Sequence, residues 1–367
     1  MWCAAISSER NLFYMVYVLA AILIFGILIA VHELGHFLAA KACGVKVNEF
    51  AIGMGPAIFK KTKGDTTYAL RVLPVGGYCA MEGEEEDSED PTALNNQGFW
   101  QMLLIYAAGA AMNFITGLLI ILVLYANAKA FYSPVITEFA AGCPLESAQG
   151  LQVGDRLLSI DGKRVFVYSD VGLLLNLNTD RTFHLVVRRD GEKVKLNDFA
   201  MTRAEYPDQK GNTYTGFGIF FGVEEADILD RIKYSWNNAL SFVQSVWVSL
   251  EMLFTGQAGI GDLSGPVGIV STMTEIGEQS DSFKMAMENI AYIGALIAVN
   301  LAVMNLLPLP ALDGGKIFFL VVNQLCLLLF KKQIPAKFEN YIHVAGFILL
   351  MILMAVVMFQ DIWKIFQ

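Results

Sequence analysis

Charged residues are scarce in this chain of 367 amino acids: only 17% are Asp, Glu, Lys or Arg, whereas 55% are hydrophobic. This balance separates the chain from soluble globular proteins of similar length and predicts a membrane protein. Positive charge is the scarcer sign, and the formal net charge of -9 argues against a nucleic-acid partner. The sequence therefore indicates a lipid bilayer, and no nucleic acid, as the surroundings of the chain.

Cysteine and histidine are also few. The five cysteines are scattered without a C-x-x-C pair, so they predict neither a disulfide framework nor a zinc site made of thiolates. Two of the four histidines, His32 and His36, stand four residues apart with Glu33 beside the first. On a helix, His32 and His36 share a face, so both imidazoles can bind one zinc ion (Zn2+) while Glu33 reaches a water on it. The pattern is typical of a metal-dependent peptidase.

Long hydrophobic runs are plentiful, and four of them have the length of transmembrane helices. They cover residues 12–40, 100–127, 285–309 and 341–363. Lysine and arginine cluster in the loop between the first two runs and in the loop between the last two, which predicts that both loops are cytoplasmic. The histidine pair therefore lies near the inner end of the first helix, where ionisable side chains are costly and usually functional.

Two segments between these runs have strand patterns. Residues 45–81 alternate in hydrophobicity and are punctuated by glycine and proline, which predicts hairpins. Because bare strand edges cannot face lipid, we expect these hairpins to pack against protein or to line a cavity. Residues 134–223 carry short alternating runs and ordinary surface charge, which predicts a small β-rich domain on the side opposite the basic loops. His184 lies in one of its strands and is interpreted as an ordinary surface or core histidine.

The run from residue 228 to residue 254 is apolar enough to suggest a fifth transmembrane helix. Asparagine, serine, glutamine and glutamate recur through it, however, which favours an amphipathic helix on the membrane surface. A fifth span would also place the end of the run at 285–309 on the wrong side of the membrane to meet His32 and His36. We therefore expect residues 228–254 to lie on the interface.

A catalytic zinc site needs three protein ligands and an open fourth position, so one ligand beyond the two histidines is required. Asp313 is favoured because it follows the third apolar run on its inner side. Prolines at 308 and 310 break the helix before Asp313, and glycines at 314 and 315 allow another segment to approach the backbone closely. The alternatives are residues that are more simply interfacial, at the two ends of the last run: Glu339, His343 and Asp361.

Three asparagines lie in otherwise apolar helices, where unpaired amides are costly and tend to find partners on neighbouring helices. For Asn300 we expect such a contact between helices. For Asn113 and Asn305, which lie near the predicted metal site, a hydrogen bond to the substrate is an equal alternative. Asn113, Asn305 and Pro308, which follows closely after Asn305, are the candidate substrate-binding residues.

These residues resemble one family, the site-2 intramembrane metalloproteases, and in particular the bacterial type that regulates sigma E. The resemblance covers nearly the whole chain. It is carried by the metal motif at residues 32–36, the Leu312-Asp313-Gly314 motif, and the segments 108–114, 50–56, 73–78 and 264–269. Residues 141–144 with 150–155 resemble the signature of a single PDZ domain.

By this resemblance, the fold is a polytopic α-helical membrane protein with four transmembrane helices, a re-entrant β-hairpin and an inserted extracytoplasmic PDZ domain. Its parts are an N-terminal membrane part (residues 1–133), the PDZ domain (134–223), an amphipathic surface region (224–283) and a C-terminal membrane part (284–367). The implied ligands are His32, His36 and Asp313, with Glu33 as the catalytic base. The implied location is the bacterial inner membrane.

The resemblance also implies the substrates, which are single-span membrane proteins such as anti-sigma factors after a first cut, and remnant signal peptides. Two other functions were weighed against this one. A membrane scaffold that uses only its PDZ domain is disfavoured, because a protein without catalysis has no reason to keep Glu33 in hydrocarbon. A metal transporter is disfavoured because the sequence offers no further ligands along a path. The oligomeric state is not indicated.

Overall fold

The computed structural model describes residues 2–84, 88–207, 213–332 and 334–365. Within these residues the helices are α1 Trp2–Ala42, α2 Phe99–Tyr125, α3 Tyr168–Leu177, α4 Ile228–Phe254, α5 Pro266–Glu278, α6 Phe283–Asn305, α7 Asp313–Phe330 and α8 Ala336–Ile365. The strands are β1 Val47–Lys63, β2 Thr66–Met81, β3 Ala130–Phe139, β4 Arg156–Ile160, β5 Lys163–Arg164, β6 Thr182–Arg189, β7 Glu192–Ala200, β8 Ala204–Pro207, β9 Thr213–Gly216 and β10 Ile219–Glu225.

Five helices of the described residues are long and apolar enough to cross a membrane, where the sequence predicts four. Four of them, in α1, α2, α6 and α8, correspond to the predicted runs. The fifth is α7, an 18-residue helix in a segment that the sequence analysis treats as a connection. At a rise of about 1.5 Å per residue, a helix of this length is barely as long as the hydrocarbon layer is thick.

The chain divides into two compact units: residues 1–120 with 245–367, and residues 121–244. The second unit is wider than the domain predicted at 134–223, which stays a prediction. In the first unit α1, α5 and α6 pack around a core that includes Tyr17, Leu28, Met273, Ile290 and Ile297. These elements hold the helix that carries the histidine pair.

Asp361, one of the alternative ligands, has a structural position at the end of α8. It is buried, and its Oδ2 accepts hydrogen bonds from the backbone N–H groups of Gly265 at 2.9 Å and Gly268 at 2.8 Å. Pro266 is the first residue of α5, so the carboxylate satisfies N–H groups that the helix itself leaves free. Asp361 therefore caps α5 through its Oδ2 atom.

β1 and β2 form the predicted hairpin structure, with a register that shifts where glycine bends the strands. Residues 49–52 of β1 pair with residues 77–80 of β2 along one edge and with residues 67–70 along the other. The bend at Gly53 requires glycine, because its φ is 88° and a Cβ would lie 2.4 Å from the carbonyl oxygen of Leu73. The hairpin packs on α1 and α2 through a core that includes Ala40, Val47, Met81 and Ile105.

The second unit contains a sheet of order β10-β3-β4-β6-β7, with β5 beside β4. Its core joins the inward faces of the strands, such as Ile136 and Leu185, to Val171 and Leu174 of α3. In the segment that resembles a PDZ signature, Asp155 is fully buried and accepts two hydrogen bonds from Arg189, at 2.8 and 2.7 Å. Those bonds raise the pKa of Arg189 above its usual value. The His184 ring is exposed, so this histidine is a surface residue.

α4 is amphipathic, as the sequence predicts, and it is not among the five candidate membrane helices. Some of its polar side chains are buried: Ser241 donates to the Asp170 carboxylate, and Asn238 donates to the Tyr125 hydroxyl at 2.9 Å. Apolar residues such as Phe242 and Val246 are buried beside them. Its exposed residues include large apolar side chains, among them Leu229, Ile232, Trp236, Trp247 and Phe254.

Candidate metal centre

The histidine pair lies on one face of α1, as the four-residue spacing requires. The Nε2 atoms of His32 and His36 are 3.2 Å apart, and the two rings meet edge to face. His36 is buried and His32 is half-buried. The two Nε2 atoms are therefore shielded from bulk solvent. A third group can still approach both of them.

Asp313 is that third group. Its Oδ2 lies 3.2 Å from Nε2 of His32 and 3.3 Å from Nε2 of His36. Asp313 begins α7 after a sharp turn in which Ala311 has a φ of 71°, which is unusual for a residue other than glycine. A Cβ on Gly314 would lie 2.2 Å from the carbonyl oxygen of Leu307, so only glycine lets α7 start this close to the end of α6.

The three donor atoms fit a tetrahedral zinc ion. Ligand atoms at zinc–nitrogen and zinc–oxygen distances are about 3.3 to 3.5 Å from one another in a tetrahedron, and the observed separations are 3.2, 3.2 and 3.3 Å. Two imidazoles and a carboxylate are also a donor set that zinc accepts in catalytic sites. Within the described residues, the buried Oδ2 of Asp313 has no hydrogen-bond donor, as expected of an atom that is available to a metal ion.

Both histidines are oriented from α2. Nδ1 of His36 lies 2.8 Å from the carbonyl oxygen of Ile105, so it carries the proton and leaves Nε2 free as a ligand. Nδ1 of His32 lies 3.4 Å from the amide of Asn113, which is buried. The Asn113 oxygen has no hydrogen-bond partner among the described residues. With the amide turned so that this oxygen faces the ring, it accepts the Nδ1 proton and His32 has the same tautomer.

Glycine makes room for the ligands. A Cβ on Gly109 of α2 would lie 2.4 Å from Nε2 of His36 and 2.8 Å from Nε2 of His32, which is the space next to the donor atoms. A Cβ on Gly35 of α1 would lie 2.4 Å from the carbonyl oxygen of Ala108. The two helices therefore approach closely at the candidate metal centre, and a side chain at either position would force the neighbouring atoms to shift.

Glu33, His36 and Asp313 line a cavity of about 770 Å³. Its other walls include Tyr78 to Met81 of β2, Tyr106 of α2, and Lys316 of α7. Cys79 in this wall is buried, and within the described residues it is not part of the group that converges closely enough to bind a metal ion. Glu33 therefore shares this cavity with two of the three candidate metal ligands, His36 and Asp313.

The remaining candidate residues lie outside the group formed by His32, His36 and Asp313. Asn305 is the half-buried last residue of α6 and Pro308 is exposed, and neither is among the described residues that line the cavity. Of the alternative ligands, His343 accepts a hydrogen bond from the Ala311 backbone at 3.0 Å and supports the turn before Asp313. Glu339 lines the same cavity and accepts from Asn323 at 3.5 Å. Within the described residues, His32, His36 and Asp313 are the only group of three that converges closely enough to bind one metal ion.

Comparison with known proteins decides the family. Residues 20–353 match the family described as Peptidase family M50. The chain belongs to this family. It is 35% identical to a protein of Clostridium perfringens that is provisionally named a zinc metalloprotease, over 94% of this chain and 98% of that protein. It is 27% identical to the regulator of sigma-W protease RasP of Bacillus subtilis, over 95% of this chain and 99% of that protein.

Membership in the M50 family makes the chain a membrane zinc metalloprotease, and its cofactor is zinc. The long apolar helices agree with a multi-pass membrane protein. The predictions of enzyme class, cofactor and membrane character from the sequence are therefore confirmed.

Proposed function

We propose that His32, His36 and Asp313 bind the catalytic zinc ion of an intramembrane endopeptidase and that Glu33 is its general base. The single observation that carries the proposal is the convergence of three donor atoms within 3.2 to 3.3 Å of one another beside a cavity that also contains Glu33. The helix that carries three of these residues is an apolar span of 29 residues, so the reaction takes place within the membrane.

Zinc held at this site supplies the positive charge that activates a water molecule and polarises the peptide carbonyl. The Glu33 carboxylate takes a proton from the attacking water and passes it to the nitrogen of the leaving peptide. The Cγ atom of Glu33 lies next to Gly77 of β2, since a Cβ added to Gly77 would be 3.3 Å from it. The Glu33 carboxylate therefore acts beside the cavity wall that β2 forms. Asn113 holds His32 in the tautomer that keeps Nε2 free, which makes Asn113 a positioning residue.

A transmembrane helix is a poor peptidase substrate because its carbonyls are hydrogen-bonded within the helix. Residues 77–80 of β2 form one edge of the hairpin sheet, and within the described residues no strand pairs with their outer side. Tyr78, Cys79 and Ala80 also line the cavity of Glu33. An unwound substrate segment that adds a strand here presents its backbone to the site. Asn305 and Pro308, at the turn that follows α6, contact the substrate beyond this cavity.

The substrates are single-span membrane proteins, including anti-sigma factors after a first cut and remnant signal peptides. The family and the name of the Bacillus subtilis relative support this class. The protein resides in the bacterial inner membrane, residues 134–223 form an extracytoplasmic PDZ domain, and the exposed apolar face of α4 lies on the membrane surface. The PDZ domain excludes substrates whose outer portion is still bulky, because one intramembrane site must select among many single-span helices.

A reconstituted cleavage assay tests the proposal. Full-length and trimmed forms of one single-span substrate are compared with the wild type, with Glu33→Gln, and with a variant whose residues 134–223 are replaced by a flexible linker. We expect the wild type to prefer the trimmed form, Glu33→Gln to cleave neither form, and the linker variant to accept both. An unchanged preference in the linker variant contradicts selection by the domain, and substantial cleavage by Glu33→Gln contradicts the catalytic role.

A further inference from the structure

Beside the metal centre, a pair of opposite charges that the proposed reaction does not use joins two walls of the cavity. Nζ of Lys316 lies 2.7 Å from Oε1 of Glu84, although the two residues are 232 positions apart in the chain. Glu84 is 19% exposed and Lys316 is 35% exposed, so the pair is largely withdrawn from solvent. Both residues line the cavity that contains Glu33 and Asp313.

Each partner is fixed by a second contact. Oε2 of Glu84 accepts a hydrogen bond from the backbone N–H of Met81, the last residue of β2, at 3.3 Å. The ammonium group of Lys316 lies 5.6 Å from the centre of the Tyr106 ring on α2, a cation–π contact. The pair therefore connects the end of β2, the N-terminal third of α2 and the first turn of α7.

Lys316 is three residues beyond Asp313, so the two lie on the same face of the first turn of α7. The opposite side of this turn packs backbone to backbone: a Cβ on Gly315 would lie 2.4 Å from the carbonyl oxygen of Leu309. The turn starts from Leu312, which offers no side-chain hydrogen bond to cap the helix. Besides the contacts of Asp313 with the two histidines, the charged pair is thus a polar side-chain contact that holds this turn from the cavity side.

We infer that the ion pair between Glu84 and Lys316 positions the first turn of α7, and with it the Asp313 carboxylate, for zinc binding. This inference rests on the proposed ligand role of Asp313. Lys316 is the one lysine or arginine among the described residues that line the cavity, and its ammonium group is already engaged by Glu84 and Tyr106. It is therefore a positioning residue that acts through Asp313, and contact with the substrate is not its role.

The test measures zinc affinity by competition with a chelator, together with kcat and KM for a membrane-segment peptide, on the full-length protein. Glu84→Gln removes the charge and keeps an oxygen for the Met81 N–H, and Lys316→Met keeps the apolar stem over Tyr106. The matched control is Lys284→Met, which removes an exposed lysine that pairs with Glu288 at 3.7 Å on α6. Lys316→Arg retains the positive charge.

We expect Glu84→Gln, Lys316→Met and the double variant each to lose zinc affinity and kcat by the same factor of roughly 10, with KM unchanged. Lys316→Arg should recover most of the loss, and Lys284→Met should match the wild type. Additive losses in the double variant, a loss in Lys316→Met alone, a change confined to KM, or variants equal to the control would each overturn the inference. A wild type that neither binds zinc nor cleaves would instead refute the proposed function.

Discussion

Gly109 offers the sharpest perturbation of the metal centre without touching a ligand. In Gly109→Ala the new Cβ would lie 2.4 Å from Nε2 of His36, whereas ordinary contacts of a Cβ begin at 3.4 Å. The imidazole must therefore move by about 1 Å, or α2 must move away from α1. Because a misplacement of about 1 Å costs catalysis roughly 100-fold, we expect kcat/KM to fall by about that factor, which corresponds to about 2.7 kcal/mol.

The measurement is zinc content and peptide cleavage by purified Gly109→Ala, with Gly172→Ala as the control. Gly172 lies on α3 with no atom within 4 Å of an added Cβ, so the control adds the same methyl group in open space. It should leave cleavage unchanged and, as a change from glycine to alanine within a helix, stabilise slightly. Full zinc content and wild-type cleavage in Gly109→Ala would refute the account of how α1 and α2 form the site.

Three further predictions concern topology and stability. A reporter fused after Gly256 should lie on the same side of the membrane as one within residues 134–223, because α4 is not a candidate membrane helix; opposite sides would show that α4 crosses. Asp361→Ala should lower the free energy of unfolding by about 1–3 kcal/mol through loss of the α5 cap, with zinc content unchanged; an unaltered thermal midpoint would contradict this. Arg189→Met should lower the free energy of unfolding by at least about 2 kcal/mol, because it leaves the buried Asp155 carboxylate unpaired. Arg188→Met, which changes an exposed side chain of the same strand, should lower it little. Equal effects of the two substitutions on the thermal midpoint would contradict the pairing.

The site could be predicted from the sequence where chemistry fixes spacing. Two histidines one helical turn apart must share a face, so His32 and His36 could be paired without a structure. Asp313 could be placed near them because proline and glycine mark the end of a membrane helix on the required side. The contributions of Gly109 and of the Glu84 and Lys316 pair could not be predicted, because they depend on how α2, β2 and α7 approach one another.

The fold was predicted less completely around α7. The segment from 313 to 330 has glycines at its second and third positions and ends before two lysines, and these features indicate a connection when read alone. The glycines instead allow the helix to begin against the backbone that ends α6, an arrangement that only the packing reveals. By contrast, the amphipathic character of α4 could be predicted, because polar residues recur along an otherwise apolar run. Its place on the membrane interface stays a prediction.

The central claim is that three residues bind zinc and that Glu33 acts on protons alone. Zinc content, measured by elemental analysis on purified wild type, Glu33→Gln and Asp313→Ala, tests it most directly when the same samples are assayed for peptide cleavage. We predict about one zinc ion per chain in the wild type and in Glu33→Gln, little in Asp313→Ala, and cleavage by the wild type only. Full zinc content in Asp313→Ala, or loss of zinc from Glu33→Gln, would contradict the account.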